Sequence, residues 1–123
     1  MNQTLAGFAA ILAEIRPLKD ELRPDLRHLR LHLTLINGTT LHIRENRIIS
    51  TGWVDYSYHW QTADHQLIHR WDNAHERQSL QIPLHHQQVG FEENIQPSEP
   101  MTLEAVLRFI AVQLSHDSSS TSN

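Results

Sequence analysis

The chain has no cysteine. Disulfide frameworks, thiol catalysis and cysteine zinc sites are excluded, and a reducing cytoplasm is the expected compartment. Lysine occurs once, at Lys19, and the formal net charge is -4 with histidine neutral. A broadly basic nucleic-acid coat is therefore absent, which leaves room only for a local basic cleft. With four glycines there is little material for a phosphate-cradling loop or a nucleophile elbow, and neither motif occurs. No apolar run approaches the ~20 residues of a membrane span, so no membrane partner is expected. Met1 to Leu12 lacks a basic lead-in, so no signal peptide is expected either.

What is present describes one globular domain. At 123 residues, a split would leave halves too small to hold a core easily. Hydrophobic residues make up 39% and charged residues 20%, which argues against wholesale disorder. The unusual component is histidine: ten copies, as many as lysine and arginine combined. Histidines with an ordinary pKa of ~6.5 make the charge strongly pH-dependent.

The spacing of Leu5, Phe8, Leu12 and Ile15 predicts a helix over residues 4–16, ended by Pro17. A further turn is expected over Leu18 to Leu22. Residues 26–45 read as a hairpin. Leu29, Leu31, Leu33 and Leu35 alternate, Asn37-Gly38 turns, and Leu41 and Ile43 alternate again. A three-residue loop ending at Thr39, with Leu35 opposite Leu41 and Leu33 opposite Ile43, keeps one face apolar. Glu45 then shares the apolar face, so it must be at the rim, paired, or in a cleft.

A third strand is expected over 53–61, with Tyr56, Tyr58 and Trp60 on one face and Ser57, His59 and Gln61 on the other. Ala63-Asp64-His65 should turn into a fourth strand, Leu67 to Asp72. A short fifth strand is expected over Gln78 to Ile82, ended by Pro83, and residues 84–101 read as irregular. Thr102 can cap a last helix with an apolar stripe of Leu103, Val106, Leu107, Ile110, Ala111 and Leu114. The expected architecture is α+β: an antiparallel sheet of about five strands flanked by an N-terminal and a C-terminal helix. It spans 1–117 as a single domain, with a disordered tail over 118–123.

The middle of the chain concentrates groups that acid–base and phosphate chemistry uses: Arg44, Glu45, Tyr56, Tyr58, His59, Arg70, Asp72, Asn73, His75, His85 and His86. Metal-independent RNA cleavage needs a base for the 2′-hydroxyl, an acid for the leaving oxygen and a cation on the phosphate. His59 and Arg70 lie on adjacent strands. A two-residue turn sets them directly opposite; a three-residue turn sets His59 opposite His69 and Arg70 opposite Tyr58. Each residue also has a plainer reading. His59 and Arg70 fit exposed strand positions, Asp72 and Asn73 fit turn formation, and the aromatics fit core packing. Adjacent His85 and His86 point opposite ways on extended backbone, so one site takes only one of them. For zinc there is no His-Glu-x-x-His helix. His28 and His32 sit about 13 Å apart in strand-like sequence, too far for a chelate. A site of His59, His75 and His85 has no supporting spacing.

At these residues the chain resembles the TumE-type toxins of type II toxin–antitoxin systems. The resemblance covers residues 26–114. It is carried by Tyr56-Ser57-Tyr58-His59-Trp60-Gln61 and by Leu67-Ile68-His69-Arg70-Trp71-Asp72-Asn73-Ala74. Leu41-His42-Ile43-Arg44-Glu45 precedes these blocks, and Pro83, His85-His86 and Pro100 to Leu107 follow them. It departs from the family pattern where Ala74 is followed by His75-Glu76 rather than proline. Leu84 separates Pro83 from the histidines, and Gln87-Gln88 stands where lysine and another histidine are expected. The resemblance implies a small cytoplasmic toxin neutralised by a cognate antitoxin protein. Its residues lead to an expected endoribonuclease with RNA as partner, needing no cofactor and no metal. Glu45 or His59 is the candidate base and His85 or His86 the acid. Arg44 and Arg70 would bind phosphate, and Tyr58, Asp72 and Asn73 would contact substrate. The alternatives are a non-catalytic protein-binding module and a metal-dependent nuclease.

Overall fold

The computed structural model describes residues 2–73 and 85–121. A short helix α1 (Asn2–Ala6) and a single 3-10 turn (Ala9–Ile11) lead into seven strands and a closing helix α2 (Leu103–Thr121). The strands are β1 (Leu12–Arg23), β2 (Leu26–Leu35), β3 (Thr40–Ile48), β4 (Val54–Gln61), β5 (Leu67–Asp72), β6 (His86–Val89) and β7 (Ile95–Pro97). They pair in sequence order as one antiparallel meander. Every connection joins neighbours, so no crossover is needed.

Alternation decides the layering. Leu29, Leu31, Leu33, Leu35, Leu41, Ile43, Tyr56, Tyr58, Trp60 and Trp71 share one face and form the core with Leu103, Val106, Leu107, Ile110 and Leu114 of α2. Phe109 of α2 meets Trp60, His69 and Trp71 edge-on. Thr102 caps this helix, its hydroxyl accepting the Ala105 N–H at 3.1 Å. The opposite face of the sheet is polar.

The sheet departs from expectation at both ends. Residues 12–23 form an edge strand, not the second half of a helix. Leu12 and Ile15 fit a helical spacing, but Pro17 has no N–H to continue a helix and is tolerated at a sheet edge. Register breaks between Leu12 and Glu14 and between Pro17 and Lys19 hide the strand's alternation. Residues 84–101, expected to be irregular, supply β6 and β7. The buried positions of β6 are the polar His86 and Gln88, on the face away from α2, so no apolar alternation announces the strand. The sheet therefore has seven strands among the described residues, not about five. The expected strand over 78–82 lies outside the described residues. So do residues 122–123 of the expected tail, whose remainder overlaps the end of α2.

The β2–β3 register also differs. Leu33 stands opposite Leu41 and Leu31 opposite Ile43, two positions from the expected pairing. Leu35 N–H bonds Thr39 O at 2.8 Å, so the loop is Ile36-Asn37-Gly38, with Gly38 at φ 88°. A three-residue loop with glycine in the left-handed region is the favoured geometry for this turn. The slip is even, so the faces stay as expected.

Leu107→Ala should cost about 2–5 kcal/mol, because the side chain is fully buried and leaves a cavity. Leu22→Ala, at 75% exposure, should stay within ~0.5 kcal/mol of wild type. Urea unfolding of both variants checks the pair, and equal losses would contradict this layering.

Candidate functional site

The β4–β5 hairpin determines the site. Its turn is the longer one: Thr62 N–H bonds Gln66 O at 2.8 Å, and His65 takes the left-handed φ of 70°. Gln61 then pairs with Leu67. A register shift follows between Gln61 and Trp60, and beyond it Trp60 faces His69 and His59 faces Arg70. The irregularity adds one residue to β5 and turns Arg70 to the polar face and Trp71 to the core. His59 and Arg70 are thus direct cross-strand neighbours.

Two rows cross this open face. The first runs Arg16, His32, His42, His59, Arg70, Gln88 from β1 to β6. The second runs Lys19, Arg30, Arg44, Ser57, Asp72, His86. Between them lies a cleft of about 290 Å³, lined by Arg30, His42, Arg44, Ser57, His59 and Arg70 among others. Asp72 of β5, opposite Ser57, is 1% exposed. Its Oδ2 lies 3.1 Å from Arg70 Nε and its Oδ1 3.1 Å from His86 Nε2. A buried carboxylate needs such partners, and this one anchors the Arg70 side chain.

The ring row is held neutral. Burial, then its neighbours His32, His59, His65 and Arg30, push His42 down to about 4. Burial and then the Arg70 guanidinium lower His59, with Glu92 opposing them. The His32 and His42 rings stack at 3.8 Å, and His42 and His59 lie 6.3 Å apart. The Gln61 Nε2 amide lies 3.4 Å from His42 Nε2 and 2.9 Å from His65 Nδ1. An amide NH₂ only donates, so both ring nitrogens act as acceptors there.

The sheet separates the expected site residues into two groups. Arg44, His59, Arg70, Asp72 and His86 share the open face. Glu45, Tyr58 and His85 belong to the helix-covered face. There the Tyr58 hydroxyl donates to Glu45 Oε2 at 2.5 Å, so the carboxylate is paired, as its position required. Burial, and then the Glu45 charge, raise the Tyr58 pKa. His85 Nδ1 meets the Tyr56 hydroxyl at 2.8 Å, and the same hydroxyl accepts the Met101 N–H at 3.2 Å. Asn73 is 1% exposed and serves the backbone. Its Oδ1 accepts Tyr56 N–H and its Nδ2 donates to Val54 O, each at 2.8 Å. His75 lies outside the described residues.

His32 and His42 escaped the sequence reading as site residues. Cross-strand register was the signal: pairs summing to 74 on β2–β3 and 101 on β3–β4 align His32, His42 and His59. Among the described residues, no group of three or more His, Cys, Asp or Glu is arranged to hold a metal ion. No helix among the described residues is long and apolar enough to cross a membrane.

The family model for Toxin TumE matches residues 9–114. The chain belongs to the TumE toxin family. No curated protein and no solved structure matches it significantly. The match takes in all seven strands and α2 as far as Leu114, so both rows of the open face lie inside the TumE region.

Acid should destabilise this face. Unfolded chains protonate His42 near pH ~6.5, whereas the folded chain resists until about 4. The unfolded state binds more protons in between, so stability falls as pH drops through that window. His42→Gln should flatten the loss, read as urea midpoints at neutral pH and at about pH 4.5. A variant that tracks wild type would remove His42 as the cause.

Proposed function

We propose that this TumE toxin arrests growth by cutting RNA at its open face, and that a cognate antitoxin protein restrains it. The observation that carries this reading is the cross-strand pair of His59 and Arg70, beside Arg44, with the buried Asp72 against Arg70. His59 is neutral at physiological pH because burial and the Arg70 charge oppose its protonation. It takes the proton of the 2′-hydroxyl. The 2′-oxygen bonds to phosphorus, the bond from phosphorus to the 5′-oxygen breaks, and water in the open cleft protonates the leaving oxygen. A 2′,3′-cyclic phosphate and a 5′-hydroxyl result. Arg70 and Arg44 bind the phosphate as charge builds. Asp72 positions Arg70, and His86 supports Asp72 from a site 1% exposed.

Glu45 and His85 have no part in this arrangement, since the sheet lies between them and His59. His86 is a positioning residue in it rather than an acid. Tyr58 and Asn73 act through the fold.

His59→Ala and Arg70→Ala should each abolish growth arrest on induction in a bacterium without antitoxin. Purified His59→Ala should cut RNA ~10²–10⁴-fold more slowly, with and without a chelator. RNA left intact by soluble wild-type protein would sink the reading, and activity lost to chelator would turn it toward a metal-dependent nuclease.

The pH profile separates the roles. Activity should hold at neutral pH and fall in acid, below the ordinary histidine value of ~6.5. Arg70→Gln removes a charge that lowers His59, so the residual activity should fail at higher pH than wild type. An unmoved acid limb would detach Arg70 from His59.

A second reading rests on β1, an edge strand with Ile15, Leu18 and Leu22 exposed. Here the chain is a non-catalytic module that docks a protein at this edge. Growth arrest undiminished by both substitutions would favour it.

A further inference from the structure

The open face carries more cation than the cleavage pair uses. Arg30 stands directly opposite Arg44, and Arg16 stands beside His32 one row over. Like charges directly opposite destabilise a sheet. Among the described residues, Arg16, Arg30 and Arg44 have no carboxylate within ion-pair distance, whereas Arg23, Arg27 and Arg108 each have one. The open-face carboxylates of β1 flank the row. Glu14 stands opposite Thr34, and Glu21 stands opposite His28 and is paired with Arg23 and Lys19.

The charge also has a direction. From His59 towards β1 the rows present His42, His32, Arg16 and Arg44, Arg30. Towards β7 they present Arg70, Gln88 and Ile95, and Asp72, His86 and Pro97, so the one arginine on that side stands beside a carboxylate. Glu92, in the turn between β6 and β7, adds a negative influence on that side. Burial lowers His32, and Arg16 and Arg30 lower it further, which reports the positive field at this end. The stacked His32 and His42 rings bridge the two cation groups with neutral donors and acceptors. From β1 to β5 the track is ~19 Å long, at ~4.8 Å per strand. That exceeds what one phosphate occupies.

We propose that Arg16, Arg30 and the stacked His32–His42 pair form a second phosphate subsite, which binds the single-stranded RNA chain next to the phosphate held at His59, Arg44 and Arg70. The assignment rests on the RNA-cleaving reading, and it makes the toxin prefer extended single strands to dinucleotides. A polyanion relieves the repulsion between Arg30 and Arg44 and releases counterions as each phosphate is neutralised.

The test uses a fluorescent 2′-O-methyl oligouridylate of roughly 12 nucleotides, whose blocked 2′-oxygen prevents cleavage, beside the corresponding dinucleotide. Affinity is read by anisotropy across a salt series. Single-strand contacts change log affinity with log salt by about −0.7 per phosphate. The Arg16→Gln, Arg30→Gln double variant should lose about tenfold in affinity for the oligomer, and its salt slope should shrink by about 1.4. The loss for the dinucleotide should be clearly smaller. Both side chains are exposed, so an unchanged urea midpoint confirms folding.

An oligomer affinity untouched by the double variant overturns the subsite, as does a wild type with no salt-dependent binding. A fluorescent oligoglutamate bound as tightly as the oligomer would also overturn it, by assigning the track to an acidic protein. The two readings fail separately. Salt-dependent binding lost in the double variant, with no cleavage of natural RNA, keeps the subsite and removes the nuclease. Cleavage of long RNA at wild-type rate by the double variant does the reverse.

Discussion

Arg70 can face the cleft only because β5 carries one extra residue. The turn after β4 places Gln61 opposite Leu67, and an unbroken ladder from there would put Arg70 opposite Tyr58, against α2. A guanidinium on that face would meet the core. The shift at Trp60 restores both needs at once: Trp71 enters the core at 2% exposure and Arg70 joins His59. Because strand side chains alternate strictly, one inserted residue inverts everything after it. Asp72 and, through the β5–β6 pairing, His86 and Gln88 inherit their face from the same event. Core and cleft are set by a single irregularity.

Below that pair the energetics are those of a buried charge. Asp72 is removed from water and offset by Arg70 and His86 at 3.1 Å each. Such a pair contributes little net stability, since desolvation consumes most of the attraction. Its consequence is orientation. A guanidinium held against a buried carboxylate in the wall of the cleft still has further N–H donors for a phosphate. The same cation disfavours protonated His59, so one guanidinium both lines the cleft and favours the unprotonated ring.

Much of this was legible from alternation. β2, β3, β4, β5 and α2 were readable because their buried positions are apolar and evenly spaced. β1 was not, since its two register breaks erase the period of two while Leu5, Phe8, Leu12 and Ile15 imitate a period near 3.6. β6 was not, because its buried residues are the polar His86 and Gln88. The histidine row was hidden by a slip of two residues: in the expected β2–β3 register, His32 faces Arg44 and His42 faces Thr34. Faces survive an even slip, but neighbours do not. Hydrophobic pattern therefore separated the polar face from the core face and misplaced the neighbours across the strands.

The open face violates the preferences that the other face satisfies. Opposed arginines and three aligned histidines are each unfavourable alone. The core of β2–β5 and α2 supplies the stability that tolerates them. Where local preference and the global fold conflict in a natural chain, the conflict marks function more often than error. Here the unfavourable terms have one sign: each opposes further positive charge. Only an anion relieves all of them together, and one extended over several strands relieves them best. The physical cost of the face is thus the argument for the ligand we propose, a chain of phosphates lying across the strands.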